Sequence, residues 1–369
     1  MVPAIILIIT LVQAILAFAH LVVYKAIVAM WGVDRFFPLA FWRVVFVVLA
    51  ISFVVASLIG WRYYNLVTSW FYTAAAVWLG FLLYFFLAAC LYWLSVILLN
   101  NLMSAVAIAW LGKLALLAAL IVGVYGLAHN NQLVVTSIKV QLPNLPAEWI
   151  GKKAVWVSDM HVGQVYDASF LDKIAAKIKT LKPDIIFVGG DVYDGVAFPV
   201  NTAKAPLAKL RAPWGTYFIT GNHEEFGDNT KYLSVIKASG LRVLNNEMVN
   251  VHGLQLIGVD YNDTTNRQRY EGIIKSLPID KNKPSILLKH APTDIDVSAQ
   301  AGINFQISSH THRAQMFPLN LVTWLVYKGF DYGLHRFGQM TVYTSSGVGT
   351  WGPPLRVGSP SEIVLIEFK

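Results

Sequence analysis

Residues 154–161 read Ala154-Val155-Trp156-Val157-Ser158-Asp159-Met160-His161, a short apolar run that ends on an Asp-x-His pair. The pattern recurs down the chain. Asp184–Val188 runs into Gly189-Gly190-Asp191-Val192-Tyr193-Asp194, and Thr216–Thr220 into Gly221-Asn222-His223-Glu224. Ile286–Leu288 then leads to Lys289-His290-Ala291-Pro292, and Phe305–Ser308 to Ser309-His310-Thr311-His312. Apolar, β-prone runs closed by Gly, Asp or Asn read as strands followed by turns. Five strands with polar residues at their ends converge on one edge of a sheet, which places ligands on rigid elements.

Taken singly, each motif has a plain structural reading. An Asp-x-His is a turn, a Gly-Asp-x-x-Asp is a helix start with a capping Asp, and Gly-Asn-His-Glu is a tight turn. His290, ahead of a Pro-containing turn, reads as a satisfied structural histidine. His310-x-His312 is the strongest single signal, because alternate residues of a strand share one face. Joint occurrence decides: five of the nine histidines fall in these motifs. The residue types fit one task. Two divalent metals about 3.5–4 Å apart need oxygen and imidazole ligands plus a carboxylate shared between them. Asp191 suits the shared position, since its glycine-flanked turn lets backbone approach closely. The only cysteine, Cys90, lies inside an apolar segment, and the absence of thiols from these motifs disfavours a structural zinc site.

Over residues 152–369 the set resembles the calcineurin-like metallophosphoesterases, whose pattern is D-x-H, G-D-x-x-D, G-N-H-E/D, a lone H and G-H-x-H. The resemblance implies a double β-sandwich flanked by helices, a four-layer α/β architecture, around a dinuclear centre. Carried over, Asp159, His161 and His312 would hold one metal, Asn222, His290 and His310 the other, and Asp191 would bridge them. His223 would be the catalytic histidine and Asp194 would orient it. A hydroxide held between the metals would attack phosphorus. Manganese, iron, zinc and nickel all suit these ligands. Where the family has Gly-His-Thr-His-Gly-Gly-Gln, this chain has Ser309 and then Arg313-Ala314-Gln315 around its two histidines. Arg313 is therefore a candidate substrate contact. The tail Thr350-Trp351-Gly352-Pro353-Pro354-Leu355-Arg356 resembles the membrane-associated bacterial branch, and Arg356 is a second candidate phosphate contact.

Outside this half the composition changes. The chain is 56% hydrophobic, above the roughly 45–50% of soluble proteins. Residues 1–130 carry only Lys25, Asp34, Arg35, Arg43, Arg62 and Lys113, while the other 239 residues carry 44 of the 50 charges. Four apolar stretches, near 3–24, 38–60, 72–99 and 103–127, are long enough to cross a bilayer. Ala17-Phe18-Ala19 looks like a signal-peptide cleavage site, but no positive region precedes it and the apolar run continues, so a retained helix is expected. Asn100-Asn101 implies a tight hairpin between the third and fourth spans. Lys25, Arg35 and Arg43 at the first loop lean that loop to the cytoplasm, which puts the catalytic half outside it. His20, Asn65 and Lys113 have no acidic partner in any span, which favours an anchor over a transport pathway. The expected organisation is a helical membrane domain (1–130), a linker with an edge strand (131–151) and a phosphoesterase domain (152–369) of a multi-pass cell-membrane protein.

In the second half, strands are expected near 132–141, 154–157, 184–188 and 215–220, three paired strands at 241–244, 248–251 and 254–259, and further strands at 284–289, 304–308, 340–345 and 362–368. Helices fall near 168–181, 200–210, 229–239, 267–276 and 293–301. Alternation implies one largely parallel sheet, and the late strands imply a second, mixed one. Residues 316–330, MFPLNLVTWLVYKGF, are too short to span a bilayer; they read as a helix packed on the sandwich edge or as a lip that dips into the interface. The +8 charge comes without a basic run interleaved with aromatics, so no nucleic-acid partner is expected. The expected substrate is a phosphate ester or pyrophosphate, lipid-linked because four spans exceed what tethering requires. The alternatives are a non-catalytic metal-binding sensor or transporter accessory and a phosphodiesterase of soluble nucleotides.

Overall fold

The computed structural model describes residues 2–32, 38–225 and 229–369. The chain divides into two compact units, Met1–Ala128 with Gly352–Leu355, and His129–Trp351 with Arg356–Lys369. Four helices make the first: α1 (Val2–Trp31), α2 (Leu39–Arg62), α3 (Leu66–Leu99) and α4 (Ala105–Asn130). All four are long and apolar enough to cross a membrane. Side chains such as Leu7, Val47, Leu94 and Ile121 face outward, an apolar surface that suits lipid rather than water. Small residues, among them Ala26, Ala56, Ala76 and Ala89, are buried where the helices approach.

The polar residues of these helices are locally held. Asn65 caps α3 in a reciprocal box with Thr68. His20 donates from Nδ1 to the Leu16 carbonyl at 2.7 Å and accepts the Trp78 Nε1–H at 2.8 Å, which occupies both ring nitrogens. Lys113 lies over the rings of Trp31 and Trp110. Asp34 and Arg35, which enter the charge bias of the first loop, lie outside the described residues.

The second unit begins with β1 (Leu133–Val140), β2 (Lys153–Val157), α5 (Ala168–Leu181), β3 (Ile185–Val188), α6 (Lys204–Leu207), β4 (Thr216–Phe218), α7 (Thr230–Ala238) and β5 (Arg242–Val243). It continues with β6 (Glu247–Val251), β7 (Leu254–Gly258), α8 (Tyr261–Thr264), α9 (Arg267–Ser276), β8 (Ser285–Leu288), α10 (Ile295–Gln300) and β9 (Phe305–Ser308). Last come α11 (Asn320–Val326), β10 (Gly333–Phe337), β11 (Met340–Thr344) and β12 (Ser361–Phe368). Two six-stranded sheets result, ordered β1-β12-β2-β3-β4-β5 and β10-β11-β9-β8-β7-β6. One core joins their inner faces: Trp156, Phe187 and Ile366 from the first, Leu256, Leu288 and Phe305 from the second. A second cluster packs α9 and α10 on the outside of the second sheet through Tyr270, Ile274 and Ile295 against Leu287 and Val342. The strands buried on both faces, β2, β3 and β8, are the continuous apolar runs of the sequence.

Several expectations are corrected. The 241–244 segment does not pair with 248–251. β5 runs parallel to β4 in the first sheet, and the chain crosses to the second sheet before the β6–β7 hairpin. β12 is not in the late sheet either; it inserts between β1 and β2, parallel to the first and antiparallel to the second. The expected helix at 200–210 is a 3-10 turn, Val200–Ala203, followed by α6, because Pro206 lacks a backbone donor. β10 went unread: Gly-Leu-His-Arg-Phe is an edge strand without a buried face, so it shows no alternation.

Candidate metal centre

β2, β3 and β4 lie side by side and parallel, as do β8 and β9 in the other sheet. Their C-terminal ends therefore release five loops at one end of the sandwich, where open α/β sheets place their ligands. The Asp159 N–H donates to the Gly190 carbonyl at 3.0 Å and the His161 N–H to the Asp191 carbonyl at 3.1 Å, which ties the first two loops together. The Ser309 N–H donates to the His290 carbonyl at 2.7 Å and ties the last two. His290 Nδ1 donates to the Gly189 carbonyl at 2.7 Å, across from one sheet to the other, and so leaves Nε2 for a ligand. Gly190 has φ 87° and a side chain there would collide with the Gly221 backbone, so only glycine fits. Asp159, His161, Asp191, His310 and His312 all have φ between 48° and 73°. Non-glycine residues in that region cost about 1–3 kcal/mol each, and such strain clusters at functional sites.

Among the described residues, three groups of side chains have metal-binding spacing: Asp159, His161 and His312; Asp191, His290 and His310; and His161, Asp194 and His223. Within each, the ligand atoms lie within 4.8 Å of one another. Asp191 stands between the first two. Its Oδ2 is 3.2 Å from His290 Nε2 and 3.9 Å from His161 Nε2, and its Oδ1 accepts the His223 N–H at 2.9 Å. Asn222 Oδ1 lies 3.2 Å from His290 Nε2, so the amide joins the second group. His310 and His312 do not lie on a strand, since β9 stops at Ser308, and they divide between the two groups.

The donor set fits divalent cations. Both carboxylate oxygens of Asp159 are enclosed without a hydrogen bond of normal geometry, and so are Nδ1 of His161 and of His312. A buried carboxylate with open lone pairs is costly unless a cation meets it. Carboxylate oxygen, imidazole nitrogen and one amide oxygen suit borderline first-row metals.

Residues 152–314 match the family model described as calcineurin-like phosphoesterase. A metallophosphoesterase of Aquifex aeolicus is 30% identical over 257 residues, which cover 68% of this chain and 97% of that protein. The chain belongs to the calcineurin-like metallophosphoesterase family. A transmembrane protein with metallophosphoesterase domain from Bos taurus is 34% identical over 270 residues, 68% of this chain and 60% of that protein. A metallophosphoesterase of Helicobacter pylori is 34% identical over 220 residues, 58% of this chain and 59% of that protein. The chain thus spans about 60% of the length of these last two relatives.

In this calcineurin-like site, burial lowers the pKa of His310 to about 4 and, with Arg356 adding to it, that of His312 to about 3. Both are neutral imidazoles near pH 7, so they can ligate without losing a proton. His223 differs. Burial lowers its pKa, but the Asp191 and Asp194 carboxylates outweigh burial and hold it at about 9. His223 Nδ1 is 3.2 Å from Asp194 Oδ1.

Sequence reading missed the part played by Glu224. Fully buried, it accepts the N–H groups of Gly221, Asp191 and Val192 at 2.8–2.9 Å and clamps the Gly-Asp-x-x-Asp and Gly-Asn-His-Glu loops together. In Glu224→Gln one amide N–H must face those donors. Metal affinity should fall about 10–100-fold, the usual cost of losing such support, in a competition titration against a chromogenic chelator. Unchanged affinity would deny Glu224 this part. Tyr261, the first residue of α8 in the loop that leaves β7, has its ring 5.5 Å from His290 and 5.8 Å from His310 and was also missed. Applying the strand-end rule to 254–259, as to the other five, would have found it.

Arg356 is corrected. It is fully enclosed, and it donates to Ser359 Oγ and to the carbonyls of Pro360, Ser346, Gly347 and Gly349 at 2.5–3.1 Å. Ser359 in turn donates to the His312 carbonyl, and the Gly349 N–H donates to the Asp159 carbonyl. Arg356 therefore braces the turn beneath two ligand residues, with both Nη groups spent on it and the whole guanidinium enclosed. Arg356→Met leaves several buried carbonyls unmatched and should cost about 3 kcal/mol or more, read as a lower unfolding midpoint of the solubilised protein. An unchanged midpoint would contradict this. Arg313 has φ 49°, a left-handed conformation that favours glycine, and its guanidinium stacks on Tyr332 at 4.5 Å.

Proposed function

We propose that this chain is a membrane-anchored phosphoesterase with a dinuclear metal centre, acting on a phosphate ester or pyrophosphate carried by a lipid-linked substrate. The observation that carries the dinuclear reading is Asp191, whose Oδ2 reaches toward both ligand groups. Asp159, His161 and His312 would hold one divalent ion, Asn222, His290 and His310 the other, and Asp191 would serve both. When bound, the ions supply Lewis-acid stabilisation of charge on the phosphoryl oxygens and make water acidic enough to attack.

The side chains do the remaining work. With its Nδ1 3.2 Å from Asp194, His223 keeps Nε2 for the substrate, and its raised pKa keeps the ring protonated at neutral pH. It donates the proton to the leaving-group oxygen, and Asp194 is its positioning residue. Arg313, held flat by Tyr332, contacts a substrate phosphate. Trp351, with its ring 6.3 Å from His223, walls the mouth on that side.

The division into helices (1–130), linker with edge strand (131–151) and phosphoesterase domain (152–369) goes with this reading, as does an extracytoplasmic catalytic domain on a cell membrane. Four apolar helices and the membrane-spanning Bos taurus relative support lipid contact. The test is hydrolysis of bis-p-nitrophenyl phosphate by detergent-solubilised protein. A rate that a chelator removes and manganese restores is expected. A folded protein inactive with manganese, iron, zinc and nickel alike would favour the non-catalytic sensor instead.

A further inference from the structure

Met316–Phe330 holds no acidic residue and a single cation, Lys328. It was expected to pack on the sandwich edge or to form a lip. Within it α11 buries none of its residues. Leu321, Val322, Trp324, Leu325 and Val326 are each 54–68% exposed, and Phe317 before the helix is 52% exposed. A surface helix in water turns its apolar stripe inward; here the partly buried positions are the polar Asn320 and Thr323, and the apolar side chains point outward. A contiguous apolar patch of this kind marks a surface that something covers.

The base of the segment is tied to the metal centre. Asp331 accepts from Thr323 of α11 through its carboxylate at 2.9 Å, and from Thr311 through its carbonyl at 2.6 Å. Thr311 stands between the ligand residues His310 and His312. The Tyr327 ring is 6.5 Å from that of His310. At the other end, the Phe317 N–H donates to the Val357 carbonyl. The helix is thus a projection with its root on the ligand loop.

The chain itself identifies the occupant. It carries four helices able to cross a membrane, and α4 ends at Asn130 while β1 begins at Leu133. Two intervening residues span at most about 7 Å, so the link between the last apolar helix and the first strand is short. A short apolar helix with Trp324, Tyr327 and Lys328 on one segment has the composition of an interfacial insertion. We infer that α11 with Phe317 is a wedge seated in the lipid leaflet, which opens the metal centre to phosphate esters displayed by lipids. The wedge rests on the membrane tether; its use in substrate selection rests on the phosphoesterase reading above.

The experiment uses the full chain in phosphatidylcholine–phosphatidylglycerol proteoliposomes. In a Cys90→Ser background, a nitroxide on Leu325→Cys should collide with oxygen in preference to a water-soluble nickel chelate, and one on Lys237→Cys should do the reverse. A Leu325→Cys label that favours nickel overturns the wedge. So does one shielded from both with dipolar broadening, because a second copy of the chain would then be the cover. In parallel, Trp324→Glu should lower turnover of hexadecyl p-nitrophenyl phosphate in the bilayer by about tenfold while leaving bis-p-nitrophenyl phosphate within about twofold. Equal loss on both overturns substrate selection. If the wild type cleaves neither ester, the proposed activity fails and selection with it, while the nitroxide still decides whether α11 enters the leaflet.

Discussion

Asp191→Asn should remove activity on bis-p-nitrophenyl phosphate by on the order of a thousandfold and lower the metal content as well. The carboxylate is almost fully buried, and its Oδ2 faces His290 and His161 while its Oδ1 holds the His223 backbone. Burial opposes its ionisation, yet His290 and His223 outweigh burial and keep its pKa well below the usual range. Asn keeps the shape and loses the charge that two cations need in common. Metal analysis of the purified variant beside its rate checks this. A variant that retains both full metal content and full rate would show that Asp191 is a structural residue.

His223→Ala should produce the second large effect, about 10²–10⁴-fold in kcat, with metal content unchanged. The split between rate and metal is the informative part. His223 also belongs to a geometrically plausible ligand group with His161 and Asp194. If it is a proton donor, the alanine variant loads metal as the wild type does and loses turnover, most severely for poor leaving groups. If metal is lost in proportion to rate, the third group is a genuine ligand set and the proton-donor role falls.

Much of the site was legible because each ligand follows a strand buried on both faces, and such strands are conspicuous apolar runs. β2, β3, β8 and β9 lie within two residues of their expected limits, and α5 matches its expected 168–181 span. What was not legible depended on partners distant in sequence. Nothing local tells β5 to join β4 rather than the neighbouring hairpin, or β12 to insert between β1 and β2. Arg356 looked like a phosphate contact because the tail 350–356 resembles the membrane-associated branch, and nothing local signals its burial; its acceptors are the carbonyls of a turn folded back on Asp159. Glu224 looked like the tail of a motif and proves to be its clamp. Arg313 and Ala314 stand in left-handed backbone that glycine would adopt at least cost, so this chain accepts strain there while keeping both histidines.

The central claim is two metals sharing Asp191. Reconstituting the metal-free protein with manganese and recording its electron paramagnetic resonance spectrum beside the manganese stoichiometry tests it directly. Two ions per chain with an exchange-coupled signal, lost in Asp191→Asn, is the predicted result. A single ion per chain with the six-line spectrum of isolated manganese would contradict it.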